Sequence, residues 1–177
     1  MRIKSEYLIV PGLIILGIIF GILAKAGDVA VQGGILRDTF HSFGTVSTGA
    51  FIWVVICTLI AISSKNRIWA GVNVFSFLAA MIFAYYLYSY FIVEYLALSV
   101  VKFWIIMLLP STILGVIVWN IKVSRILKYV VITLGTIVMI YDMQILLRGA
   151  IPIALMMEVM LYVTFLLFMQ SKRFNKS

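Results

Sequence analysis

Apolar residues run almost unbroken through six stretches, at 7–24, 43–62, 68–91, 103–121, 129–147 and 153–169. Polar and charged residues collect in the connections 25–42, 63–67, 92–102, 122–128 and 148–152. Each stretch is long enough to cross a hydrocarbon core of about 30 Å at a helical rise of about 1.5 Å per residue. Helix is the expected form, because a lone span must satisfy its own backbone groups in lipid and these runs lack the alternation of barrel strands. The pattern therefore predicts an all-α, polytopic transmembrane bundle of six spans, forming a single domain over residues 1–177. No connection has room for a soluble domain.

Lysine and arginine orient the bundle. With the N-terminus inside, Arg2, Lys4, Lys65, Arg67, Lys122, Arg125, Lys128, Lys172, Arg173 and Lys176 fall on the inner side. Lys25, Arg37, Lys102 and Arg148 fall on the outer side. This asymmetry predicts that both termini are cytoplasmic in a multi-pass protein of the cell inner (plasma) membrane. The first run ends in Ala24-Lys25-Ala26, which is similar to a signal-peptide cleavage site, but it is longer than the usual apolar core of a signal peptide. Retention as a span is expected.

Composition agrees with the pattern, since 64% of the residues are hydrophobic and 11% charged, against roughly 45–50% and about 25% in soluble domains. A water-soluble globule is excluded. The net charge of +8 would suggest nucleic acid in a soluble protein. Here the basic residues flank the apolar runs, where anionic headgroups account for them, and the expected partner is the lipid bilayer. The single Cys57 can form neither a disulfide framework nor a cysteine metal site within one chain.

Two acids lie inside predicted spans, Asp142 in the fifth and Glu158 in the sixth. A charge at the centre of a lipid-embedded helix costs about 2.5–3.5 kcal/mol on insertion scales, so such residues face a bundle interior, a partner or water. Each lies about 7–8 Å from its outer helix end at helical rise, so a shared site for a substrate or ion is one reading. Structural pairing is the other, with Asp142 meeting Arg148 or Lys25 and Glu158 bonding to Tyr162 one helical turn on.

The longest outer connection carries Lys25, Asp28, Arg37, Asp38 and His41 among glycines. It is read either as a polar mouth, with Lys25 and Asp28 extending the acidic site, or as a solvated connector containing a short amphipathic helix at 35–40. One histidine with scattered carboxylates does not make a zinc site, and neither a metal nor another cofactor is assigned. Gly17 and Gly21 form a GxxxG, and Ser76, Ala80 and Ala84 recur at four-residue spacing. These small residues predict close helix packing. Tyr85, Tyr86, Tyr88, Tyr90 and Tyr95 read as an interfacial belt, although a cage for a cationic ligand is an alternative. Pro110, followed by Ser111 and Thr112, can kink the fourth span, either as a hinge or as a bend for packing.

Several pieces together, Lys25-Ala-Gly-Asp28, Phe51-Ile-Trp53, residues 75–86 with their paired tyrosines, and Phe103-Trp104 before Pro110, resemble a family of small, uncharacterised bacterial integral membrane proteins. That resemblance implies a six-span bacterial protein and no catalytic assignment.

Three function classes follow. A small-solute or ion binding or transport component would use Asp142, Glu158, Lys25 and Asp28 as an outward-facing polar site. A non-catalytic accessory, resistance or immunity protein would act through helix contacts, as a homo-oligomer or with other membrane subunits. An intramembrane enzyme is the least supported, because the chain carries no GxSxG, HExxH, Walker A sequence or cysteine pair.

Overall fold

A computed structural model of the chain describes residues 4–30, 33–149 and 151–170. Its elements are α1 (Lys4–Asp28), α2 (Ile35–Thr48), α3 (Ala50–Ser63), α4 (Arg67–Phe91), α5 (Leu98–Val118), a 3₁₀ turn (Trp119–Lys122), α6 (Arg125–Arg148) and α7 (Pro152–Gln170). All regular structure among the described residues is helical. Five segments are long and apolar enough to cross a membrane unbroken: Ile9–Asp28, Arg67–Phe91, Leu98–Lys122, Arg125–Arg148 and Pro152–Gln170. The molecule is a multi-pass membrane protein whose outer surface meets lipid.

The second predicted span departs from expectation. The apolar pattern predicts one span over residues 43–62, but the chain breaks at Gly49, and α2 and α3 meet at a bend of 68°. The helix expected at 35–40 runs on to Thr48, and α1 continues through Lys25 to Asp28. The cause is local. Gly44-Thr-Val-Ser-Thr-Gly49 puts glycine and short hydroxylated side chains in the middle of an apolar run, and such residues favour turns and caps over helix interiors.

Sequence also explains where the other helices begin. Asn66 caps α4 by accepting a hydrogen bond from the Trp69 amide at 2.9 Å, and Ser124 caps α6 through the Leu127 amide at 3.3 Å. In α5, Pro110 sits on an exposed face within an unbroken helix, where Thr112 Oγ1 donates to the Leu108 carbonyl at 2.7 Å.

Small residues set the closest approaches. A Cβ on Gly17 would lie 2.5 Å from the Phe77 carbonyl oxygen and 3.1 Å from Ala80 Cβ, and one on Gly21 would clash with the Met81 carbonyl and approach Ala84 Cβ to 3.2 Å. Position numbers rise together along both helices, so α1 and α4 run parallel. Ser76, on the same stripe of α4, is half-buried. By contrast, Gly71 and Val74 meet residues 112–116 while Tyr85 and Tyr86 share a cavity with Val100 and Trp104, so α4 and α5 are antiparallel.

The short helix α3 stands between two apolar cores. Ala61 belongs to one with Ala70, Val74, Phe77, Leu78 and Met81 of α4, while Phe51, Val55 and Ile62 belong to the other with Val131 and Met139 of α6 and Phe165 and Met169 of α7.

Candidate functional site

A helix leaves its first amide groups without intrahelical partners and carries partial positive charge at that end. The residue at the cap position of α3 is Gly49, which has no side chain to offer. The missing acceptor comes from α6: Asp142 Oδ2 takes the Phe51 amide at 2.6 Å. Gly49 has an ordinary backbone (φ −68°), so glycine is required here for space. A Cβ would lie 2.9 Å from Asp142 Oδ2 and 3.1 Å from the Val46 carbonyl oxygen. Asp142 is buried, and the positive end of α3 is its counter-charge.

Glu158 on α7 is more enclosed still, at 1% exposure, and its Oε1 has no hydrogen-bond partner. The charge of Asp142 acts on it. Ser47 Oγ, two residues before the break, is fully buried and also without a partner. The anticipated structural pairs are not the ones formed. Lys25 pairs with Asp28 at 2.8 Å rather than with Asp142, and Arg148 is exposed in the last turn of α6. The Tyr162 hydroxyl meets Thr136 Oγ1 at 2.9 Å rather than Glu158. Lys25 finds its partner one turn on in its own helix, while Asp142 and Tyr162 find theirs on neighbouring helices.

On the other side of the break lies a cavity of about 230 Å³ lined by Thr48, Trp53, Met81, Tyr85, Tyr86 and Trp104, among others. Trp53 and Trp104 stack with centroids 4.6 Å apart, and Tyr85 meets Tyr86 edge-on at 5.1 Å. Adjacent tyrosines thus wall one space, while Tyr90 and Tyr95 are exposed as a belt requires. The Trp53 indole donates to the Ser47 carbonyl at 3.1 Å, which satisfies an acceptor freed where α2 ends.

Lys25 and Asp28 sit behind the cavity wall. The Tyr85 hydroxyl donates to Asp28 Oδ2 at 3.0 Å, and the Lys25 ammonium lies 5.0 Å from the Tyr85 ring centroid. No hydrogen bond or ion pair among the described residues links this trio directly to Asp142 and Glu158; the cavity and the Gly49 break lie between. Arg37 is exposed, and Asp38 Oδ1 accepts from the Gly33 amide at 3.1 Å at the start of α2. Among the described residues, no group of three His, Cys, Asp or Glu side chains could hold a metal ion. Sequence reasoning missed Ser47, Thr48, Gly49 and the Trp53–Trp104 stack. The available signal was the polar run 45–49 inside an apolar span, because interrupted spans are where binding sites form in several transporter folds.

No family model, curated protein or solved structure matches this chain.

Proposed function

We propose that this protein is a six-crossing membrane component that binds or moves a small solute or ion at the break in its second crossing, with both termini cytoplasmic. The parallel course of α1 and α4 supports six crossings. A chain that crosses in α1 and crosses again in the same direction in α4 must return between them, and only α2 with α3 is available to return it. The excess of basic residues in the connections assigned to the inner side supports the orientation.

The observation that carries the binding reading is the carboxylate of Asp142 at the half-helix N-terminus after Gly49, with a second enclosed acid, Glu158, on the neighbouring α7. Intramembrane ionisable groups are costly and mark substrate or ion pathways, and a discontinuous helix exposes backbone groups to a ligand within the bundle. The aromatic cavity gives a solute room next to that break, and Thr48 belongs to both.

The test is flux in proteoliposomes carrying an internal pH dye and challenged in turn with alkali salts, small amines and small aromatic solutes. The wild-type protein is expected to pass one of these, and the double variant Asp142→Asn/Glu158→Gln to lose it. Equal flux through wild type and double variant, or through wild type and empty vesicles, removes this reading.

A further inference from the structure

The two acids at the break differ in how their charge is met. Asp142 has the Phe51 amide at 2.6 Å and the positive end of α3, so it can remain an anion. Glu158 has neither. It is 1% exposed, its Oε1 is unpartnered, and Asp142 adds a second negative charge nearby. No cationic side chain compensates it, since the one ion pair among the described residues joins Lys25 to Asp28. The elements packed against α7 carry other charged and titratable groups, namely Arg37, Asp38 and His41 on α2 and Arg125, Lys128, Tyr129, Tyr141 and Arg148 on α6, while Tyr162 lies on α7 itself. Of these and Asp142, Asp142 is the one whose charge acts on Glu158.

Burying an isolated anion next to another anion is the arrangement that low-dielectric surroundings tolerate least. It is relieved when Glu158 carries a positive charge of its own. We propose that Glu158 is the binding site for one exchangeable positive charge, a proton or a single alkali ion, while Asp142 keeps its charge as the cap of α3. The inference rests on the binding reading above and names its ligand class. It assigns unequal roles to two acids that appear equivalent in the sequence.

The test uses the full-length protein in vesicles and dicyclohexylcarbodiimide, an apolar reagent that attacks protonated carboxyl groups, with the modified residue found by peptide mass spectrometry. Glu158 is expected to be labelled at mildly acidic pH. Labelling should fall about tenfold per pH unit once the carboxyl gives up its proton. It should disappear in Glu158→Gln and persist on Glu158 in Asp142→Asn. The infrared band of a protonated carboxyl should follow the same pH profile and vanish in Glu158→Gln. Protection by sodium chloride but not choline chloride identifies an alkali ion as the occupant, and labelling indifferent to salt identifies the proton. A label on Asp142 in place of Glu158 overturns the assignment. So does an infrared carboxyl band that is unchanged by Glu158→Gln, or the absence of both label and band. None of these readings requires solute flux, so a failure of the charge site is told apart from a failure of the transport reading.

Discussion

The two ends of α3 are treated differently by the rest of the molecule. At the C-terminal end, the Ser64 carbonyl accepts from the Trp119 indole and from Lys122 Nζ, each at 2.9 Å, and Ser64 Oγ accepts from Asn73 Nδ2 at 2.9 Å. Lys122 also lies 4.9 Å from the Trp119 ring centroid. A cation therefore meets the negative end of the helix, and one amide oxygen, Asn73 Oδ1, is left over. At the N-terminal end, an anion meets the positive end, but a second carboxyl and the Ser47 hydroxyl are enclosed without full partners. One end is a fastening. The other keeps polar capacity in reserve, which a purely structural joint has no reason to do.

Three substitutions sharpen this contrast. The largest effect is expected from Asp142→Ala, which removes the side-chain acceptor at the N-terminus of α3 and leaves the Phe51 amide unpaired. A loss of about 2–3 kcal/mol is expected for a hydrogen bond to a charged group, read from unfolding in detergent by circular dichroism. Next is Gly49→Ala, which drives a methyl group toward Asp142 Oδ2 and the Val46 carbonyl. A cost of about 1–3 kcal/mol is expected from such overpacking, measured in the same way. The smallest is Trp119→Phe, which keeps an aromatic ring but removes the donor to Ser64, for about 0.5–1.5 kcal/mol. Should Trp119→Phe destabilise the protein as much as Asp142→Ala, the two ends would be equally fastened and the contrast would fail.

Much of the architecture was legible because lipid makes it so. Long apolar runs become helices when the backbone has no water to bond, and the five uninterrupted segments follow the expected ones to within a few residues. The bend at Gly49 was not read, because averaging hydrophobicity over residues 43–62 hides a short polar run between two apolar halves. Asp142 and Glu158 stood out by cost alone, since an acid in an apolar helix is rare whatever surrounds it. Their partners were not legible. The bond from Phe51 to Asp142 joins residues 91 apart in the chain, a separation that no helical periodicity encodes. The cavity was hidden for the same reason, because Trp53 and Trp104 meet only after α3 and α5 are folded around α4.

The contact between α1 and α2 has a mechanical consequence. Gly27 and Gly44 meet backbone to backbone, so closely that a methyl group on Gly44 would collide with Gly27 and the Asp28 amide. With α1 in turn seated against α4 through Gly17 and Gly21, and Phe20 packed on both Phe43 and Phe77, α1 is held closely on two sides. A methyl group at Gly44 therefore has backbone rather than a flexible side chain to push against, and must part α1 from α2.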